Sequence, residues 1–230
     1  MRVYISVDME GITGVAVSKH VTPGEKEYER FRRLMTQEAN AAIAGALAAG
    51  ATEVVVSDGH GPMTNLLVEE LHEAARLLSG SNKLLGQLEG IDRGWDAAFF
   101  VGYHQREGGG DGILNHTLLG RIVYEVRLNG EAVDEAAINA GLAGAFGVPV
   151  ALVTGDAAVC AEAERRLPGV LTVPVKEAID RVVGLSLTPA RAHALIRERA
   201  AQALHAVRQG TIAPYRVPAP VVFEVDFKRT

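Results

Sequence analysis

The stretch MRVYISVDMEG, residues 1–11, is a short apolar run followed at once by two acidic residues, Asp8 and Glu10. Its strand-like part, Val3–Val7, is nearly apolar throughout and does not alternate between apolar and polar residues. Three further runs of this kind follow along the chain: Glu53–Ser57, Ala97–Tyr103 and Pro149–Thr154. Such runs are typical of strands that are covered on both faces in a parallel sheet.

Helices are predicted between these strands. Residues 27–49 are rich in Ala, Glu, Arg and Leu, and Gly50 stands where a left-handed C-terminal cap would end a helix. A second helix is expected to begin near Asn65, with Ala75–Ser79 as either its last turns or a further strand. The order of strands and helices predicts an α/β fold, with a doubly wound, mainly parallel sheet and helices on both faces.

The pattern changes in the middle of the chain. Residues 121–128 alternate between apolar and polar, and Asn129-Gly130 separates them from the short run Glu131–Val133. Asn-Gly between two such runs is a strong signal for a β-hairpin, which forms a small insertion in the α/β fold. The remaining predicted elements are helices over residues 135–146 and 190–208 and a last strand over residues 221–227.

Length and charge limit the number of domains and the kind of partner. The chain has 230 residues and no stretch that reads as a linker, which predicts one domain over residues 1–230. The hairpin region, around residues 113–135, is expected to form a small subdomain. The formal net charge is -5 and no segment concentrates lysine and arginine, so nucleic-acid binding is not expected.

The composition also indicates the compartment. One cysteine, Cys160, excludes a disulfide framework within the chain and favours a reducing compartment. Asp8 and Glu10 stand where a signal peptide would need an uncharged stretch, and the longest small-apolar tract, residues 39–50, is too short to span a bilayer. We therefore expect a soluble, cytoplasmic protein that does not bind membranes.

Potential metal ligands follow three of the predicted strands. Asp8 and Glu10 follow the first strand, His60 comes shortly after the second, and His104 directly follows the third. Ligands bind outside the carboxyl ends of the strands in an open α/β sheet, so these side chains are expected to converge on one crevice. Two carboxylates and two imidazoles suit Zn²⁺ or a similar divalent ion, and burying two carboxylates without a cation would be costly.

Two other residues have a structural explanation beside a functional one. His116 lies in the polar stretch before the hairpin, where catalytic groups often occur but where a lone histidine is more often solvated. Glu135 opens the helix after the hairpin, where an acidic residue stabilises the helix dipole. The chain has no G-x-S-x-G, G-x-x-x-x-G-K-[ST] or H-E-x-x-H motif, which argues against a serine hydrolase, a P-loop protein and a helix-borne zinc peptidase.

A series of short motifs along nearly the whole chain is similar to that of a known family. Residues 6–11 match the signature S-x-D-x-E-G, and further matches follow in order at residues 28–30, 35–40, 57–60, 102–104, 115–117, 139–140, 149–150 and 155–156. Together they resemble the zinc-dependent D-aminopeptidases encoded in bacterial dipeptide-permease operons.

This resemblance implies a binuclear zinc peptidase, with two Zn²⁺ per subunit, that acts on short peptides with an N-terminal D-residue such as D-Ala. It also implies a ring-shaped homodecamer. Carried over onto this chain, the metal ligands would be Asp8, Glu10, His60, His104 and Glu135. Asp8 would bridge the ions, and His116 would match the family's catalytic histidine. Glu131 and Asp134 are close competitors of Glu135 as a ligand.

The mechanism implied is attack by a water that the metal ions activate, with His116 stabilising the oxyanion or carrying a proton to the leaving amine. Direct attack by the imidazole is the other possibility. Two other functions would use the same residues: a metal-dependent amidase or phosphoesterase, and a non-catalytic metal-binding subunit. A nucleotide-binding module is less favoured because the glycine fingerprint is missing.

Overall fold

The computed structural model describes residues 1–229, which contain ten strands and four α-helices. The strands are β1 (Arg2–Val7), β2 (Glu53–Asp58), β3 (Ala75–Leu78), β4 (Ala97–Tyr103), β5 (Val123–Leu128), β6 (Glu131–Ala132), β7 (Val150–Asp156), β8 (Leu171–Asp180), β9 (Val183–Ser186) and β10 (Phe223–Phe227). The helices are α1 (Tyr28–Ala48), α2 (Glu135–Ala145), α3 (Ala157–Arg166) and α4 (Pro189–Arg208).

Seven strands form one mixed sheet in the order β3-β2-β1-β4-β7-β8-β9. All neighbouring pairs from β3 to β8 are parallel, and β9 is antiparallel to β8. Counted in chain order, the strands from β3 to β8 run 3-2-1-4-5-6, so the direction of winding reverses between β1 and β4. The doubly wound, mainly parallel sheet predicted from the sequence is confirmed.

Helices cover both faces of this sheet, as predicted. α1 and α4 pack against each other and against one face, in a core that includes Ile5, Ile43 and Ile196. α2 and α3 pack on the opposite face, where the core includes Tyr4 and Phe100. Within residues 1–229, no helix has the length and apolar character needed to cross a membrane.

Helix α1 follows the sequence prediction closely. Its buried side chains recur every three or four residues, so that one side of the helix faces the sheet. The helix ends in a Schellman motif, in which the amide N–H groups of Gly50 and Ala51 donate to the carbonyls of Leu47 and Ala46. Gly50 has a φ of 85°, in the left-handed region, which confirms the predicted cap.

The helix predicted to begin near Asn65 does not form, and turns take its place. Side chains bind the backbone polar groups that a helix would pair. The carboxylate of Asp58 accepts the amide N–H of Asn65 at 2.5 Å. Asn40, on α1, donates to the carbonyl of Glu70 and accepts the amide N–H of His72, both at 2.8 Å. These long-range hydrogen bonds replace the helical ones and outweigh the helical spacing of Leu66, Leu67 and Leu71, on which the prediction rested.

Several elements are not evident from the sequence. Residues 75–79, for which the sequence allows either helix or strand, contain strand β3, which pairs with β2 at the edge of the sheet. Strand β8 is hard to recognise because Pro174 and Lys176 interrupt its apolar pattern. Helix α3, for which the sequence analysis gives no prediction, carries the buried Cys160.

β5 and β6 form the predicted hairpin, and Asn129 and Gly130 both adopt left-handed φ angles, of 51° and 82°. A two-residue hairpin turn favours this conformation at both positions. β10 pairs antiparallel with the other edge of β5, which gives a three-stranded sheet in the order β10-β5-β6. The last predicted strand therefore extends the hairpin sheet.

Glycines allow the turn after β1 and the carboxyl ends of β4 and β7 to approach one another closely. A Cβ atom at Gly11 or at Gly155 would overlap the carbonyl oxygen of Tyr103. Gly102 has a φ of 73°, and a Cβ atom there would overlap the carbonyl oxygen of Asp8. These contacts lie where the winding reverses, which is the position at which such sheets bind their ligands.

Gly11→Ala is expected to lower the free energy of unfolding by about 3 kcal/mol or more, because the added methyl group meets backbone that cannot rotate away. Chemical denaturation measures this change. Gly24→Ala is the control: a Cβ there meets no atom within 4 Å, and only the left-handed φ of 88° opposes it, at about 1–2 kcal/mol. Equal losses of stability in the two variants would contradict the close approach at Gly11.

Candidate metal centre

The residues predicted to lie at the strand ends converge on one crevice. Asp8 and Glu10 lie in the turn after β1, and His60 lies after β2. Nδ1 of His60 is 2.9 Å from Oε2 of Glu10 and 3.4 Å from Oδ1 of Asp8. All three residues are buried. Their approach follows from the parallel pairing of β1 and β2, which ends both strands at the same edge.

His104 and Glu135 lie on the other side of Asp8. His104 directly follows β4, and its Nε2 is 3.5 Å from Oδ2 of Asp8 and 3.7 Å from Oε1 of Glu135. Glu135 is the first residue of α2 and is buried. Asp8 therefore directs one carboxylate oxygen toward His60 and the other toward His104.

His116 stacks on His104, with 4.4 Å between the ring centroids and 16° between the ring planes. It lies half-buried in the loop between β4 and β5. Arg181 stabilises this loop by donating to the side-chain oxygen of Asn115 at 2.9 Å. The structure thus brings all six side chains predicted for the site into one cluster.

Each of the three histidines uses one ring nitrogen to bind a backbone carbonyl. The acceptors are Val21 for Nε2 of His60 (2.8 Å), Gln105 for Nδ1 of His104 (2.9 Å) and Leu114 for Nδ1 of His116 (2.8 Å). Donation to a carbonyl fixes the proton on that nitrogen and leaves a lone pair on the other nitrogen of the neutral ring. Metal-binding histidines are oriented in this way.

Burial and neighbouring charges have opposite effects on the pKa values of the ionisable side chains in this crevice. Burial lowers the pKa of His104, but the carboxylates of Asp8 and Glu135 outweigh it and raise that pKa to about 9. Burial also lowers the pKa of His60, but the carboxylates of Glu10 and Asp8 have the larger effect and raise it well above its ordinary value. Burial raises the pKa of Glu10, but His60 brings it well below its ordinary value. At Glu135 burial dominates and raises the pKa. The crevice therefore stabilises positive charge.

The donor set fits a transition-metal ion. Among the described residues, Nε2 of His104 has no hydrogen-bond partner although it is buried, and a buried polar atom without a partner costs free energy. Asp8, Glu10 and His104 each offer one ligand atom, and these atoms lie within 4.8 Å of one another. The same holds for His104, His116 and Glu135. Imidazole nitrogens and carboxylate oxygens are common ligands of Zn²⁺.

Only one of the three acidic residues around the end of the hairpin faces this crevice. Glu131 is exposed and pairs with Arg166 at 3.1 Å. Asp134 caps α2, because its carboxylate accepts the amide N–H of Ala137 at 2.7 Å. Glu135 therefore reaches the cluster, and its two competitors do not.

Two polar residues that the sequence analysis missed support this cluster. Gln87 donates to Oε2 of Glu135 at 2.7 Å. Lys176 is buried, which lowers its pKa to about 8, and its ammonium group binds three carbonyls of the turn after β1, those of Glu10, Ile12 and Val15. The sequence does mark Lys176, because a lysine within an otherwise apolar run is unusual. No such signal marks Gln87, which lies in a short turn.

Comparisons with known proteins agree with this geometry. A model of the D-aminopeptidase family Peptidase_M55 matches residues 1–230. The chain belongs to this family. A D-aminopeptidase of Bacillus subtilis (strain 168) is 40% identical over 230 residues, and the match covers 99% of this chain and 81% of that relative.

A solved structure is similar over the whole chain. The zinc-dependent D-aminopeptidase DppA from Bacillus subtilis, a self-compartmentalizing protease, matches with a TM-score of 0.95 and 39% sequence identity. The match covers 100% of this chain and 82% of that structure. The α/β fold, the family resemblance and the enzyme class predicted from the motifs are confirmed. The roles of the individual site residues stay predictions.

Proposed function

We propose that this family member is a binuclear zinc aminopeptidase that removes an N-terminal D-residue, of the D-Ala type, from short peptides. The observation that carries the proposal is that the two carboxylate oxygens of Asp8 face two different histidines, Oδ1 toward His60 and Oδ2 toward His104, with Glu10 beside the first and Glu135 beside the second. The choice of zinc follows from the nitrogen and oxygen donors and from the zinc dependence of the relative DppA.

In this proposal the ions would be held by Asp8, Glu10, His60, His104 and Glu135. Asp8 would be shared between the ions, because its Oδ1 lies 3.4 Å from Nδ1 of His60 and its Oδ2 lies 3.5 Å from Nε2 of His104. The stacked ring of His116 lies against this ligand set without being counted among the five. Bound zinc supplies a Lewis acid that polarises the peptide carbonyl and makes water a stronger nucleophile near neutral pH.

His116 is the group proposed to handle protons. Its Nδ1 donates to the carbonyl of Leu114 at 2.8 Å, so Nε2 is free to take up or release a proton. The stack on His104 orients the ring, and its half-buried position leaves one side open to a substrate. In the reaction, Nε2 of His116 first takes up the proton that the attacking water loses, and the protonated ring then stabilises the oxyanion or passes this proton to the leaving amine.

The first test combines elemental analysis of the purified protein with hydrolysis of D-Ala-D-Ala and L-Ala-L-Ala. We expect about two zinc ions per subunit, consistent with a two-metal site, and release of D-Ala from the first peptide only. Removing the metal with a chelator should abolish hydrolysis, and adding zinc should restore it. Preferential cleavage of the L-peptide or of a phosphodiester would contradict the substrate class. Bound metal without any hydrolysis would identify a metal-binding subunit.

The proposal includes a homo-oligomer that works in the cytoplasm. The relative DppA is a self-compartmentalizing protease. In this chain the three-stranded sheet carries exposed apolar side chains, among them Tyr124, Phe223 and Phe227, as surfaces that bind other chains often do. The decamer comes from the family resemblance. The free, buried Cys160 suits a reducing compartment.

A further inference from the structure

A chain of hydrogen bonds leads from the central sheet to Glu135. Its members are Ser6 on β1, Tyr103 at the end of β4, Asn139 on α2 and Gln87 in the turn Gly86–Leu88. Ser6, Tyr103 and Asn139 are buried. Asn139 lies four residues after Glu135, so the two side chains project from the same side of α2.

The donors and acceptors can be assigned from the Ser6 end. The Ser6 hydroxyl donates to the main-chain carbonyl of Gln87 at 3.3 Å. Because its proton is used there, it accepts the Tyr103 hydroxyl, whose oxygen is 2.8 Å away. The Tyr103 hydroxyl has then donated its single proton, so it accepts a side-chain N–H of Asn139 at 2.9 Å.

The same amide group of Asn139 donates to Oε1 of Gln87. With Oε1 turned toward Asn139, the amide nitrogen of Gln87 is turned toward Glu135 and donates to Oε2 at 2.7 Å. The backbone N–H of Leu118 donates to the other oxygen, Oε1, at 2.9 Å. Both oxygens of Glu135 are thus held by hydrogen-bond donors, and Oε1 also lies 3.7 Å from Nε2 of His104.

We propose that Gln87 is a positioning residue for Glu135 and that Asn139 sets the orientation of its amide group. The inference rests on the proposed function, because it treats Glu135 as a metal ligand. Groups that orient a ligating carboxylate typically contribute 10–100-fold to metal affinity or activity. Gln87 acts through Glu135 and not on the substrate, so metal affinity is the property that it should control.

Asn139→Asp tests the proposed order of donors and acceptors in this series of hydrogen bonds, and residue 139 itself does not contact Glu135. The aspartate can only accept, so Gln87 turns its amide nitrogen toward residue 139 and presents Oε1 to the Glu135 carboxylate. We expect zinc affinity, measured by competition with a chelator of known affinity, to fall by about 10–100-fold. An added negative charge acting through electrostatics alone would strengthen zinc binding, so the sign of the change separates the two explanations.

Gln87→Met removes the donor while keeping the length of the side chain, and it should weaken zinc binding by about 10-fold or more. The matched control is Gln37→Met, because Gln37 is also half-buried but lies in the groove between α1 and α4. In the Gln87→Met background, Asn139→Asp should have little further effect, since no amide remains to be reversed.

The inference would be overturned if both Gln87→Met and Asn139→Asp bound zinc within about twofold of the parent affinity. It would also be overturned if the control Gln37→Met lost as much zinc affinity as Gln87→Met. Circular dichroism of the metal-free proteins checks that the variants are folded, and the half-buried position of Gln87 makes its substitution the milder of the two. A parent that binds zinc but does not cleave D-peptides overturns the proposed function alone, and the affinity comparison still decides the role of Gln87. A parent that binds no zinc overturns both.

Discussion

His116→Ala is expected to lower kcat for D-Ala-D-Ala by about 10²–10⁴-fold while the protein keeps its bound zinc. The imidazole is the group at the crevice that the proposed ligand set leaves free to carry a proton. Its Nδ1 is engaged by the carbonyl of Leu114 and its ring is held against His104, so Nε2 has a defined position. Alanine removes that atom without removing any of the five proposed ligands. Steady-state kinetics and zinc content, measured on the same preparation, check both parts.

The control for this variant is His205→Ala, which removes an exposed histidine on α4 and should leave kcat unchanged. Near-normal turnover of His116→Ala would contradict the proton-transfer role. Loss of zinc from His116→Ala would instead make His116 a ligand, as its ligand atom lies within 4.8 Å of those of His104 and Glu135. A loss of kcat with zinc retained supports catalysis by this side chain.

Asp8→Asn is expected to remove most of the bound zinc and to lower peptidase activity by several orders of magnitude. The substitution changes charge but hardly changes size, so packing in the turn after β1 is preserved. The Asp8 carboxylate directs its oxygens toward His60 and His104, and its backbone neighbour Met9 donates to Oδ1 at 2.8 Å. Replacing one of these oxygens by an NH₂ group removes an acceptor from the position proposed to bridge the ions.

Elemental analysis and hydrolysis of D-Ala-D-Ala measure the effect of Asp8→Asn. Thermal unfolding with and without added zinc adds a second measure, because a ligand at 100 times its Kd stabilises the folded state by about 2.7 kcal/mol. The parent should gain this stability and the variant should not. The control, Asp92→Asn, changes an exposed residue in the same way and should behave as the parent. Full zinc content in Asp8→Asn would show that this carboxylate is not needed to hold the metal.

The fold could be predicted from the sequence where local pattern and tertiary packing agree. The buried parallel strands are apolar throughout, and Gly50 and Asn129-Gly130 occur where left-handed backbone is needed. The prediction failed near Asn65, where hydrogen bonds to the Asp58 carboxylate and with the side-chain amide of Asn40 override the helical leucine spacing. Those donors and acceptors come from other elements, and a pattern read along one segment does not contain them.

The same distinction applies to the candidate site, where some residues could be predicted from the sequence and others could not. Asp8, Glu10, His60 and His104 are predictable because parallel strands end at a common edge and each of these residues stands just beyond a strand. Gln87 is not predictable, because no pattern marks it, and for Lys176 the sequence marks the residue but not the carbonyls that its ammonium group binds. Gln87 binds a residue 48 positions away, and Lys176 binds carbonyls 161 to 166 positions away.

The amino-acid sequence by itself determined the α/β fold, the family and the residue types that gather at the strand ends, because hydrophobic pattern, turn residues and motif order are properties of neighbouring positions. Only the tertiary structure decided that Glu135, and neither Glu131 nor Asp134, faces the crevice. It also decided which ring nitrogen of each histidine binds a backbone carbonyl and which way the amide of Gln87 points. These outcomes depend on distances of a few ångströms between separate elements, and packing of the sheet against α2 sets those distances.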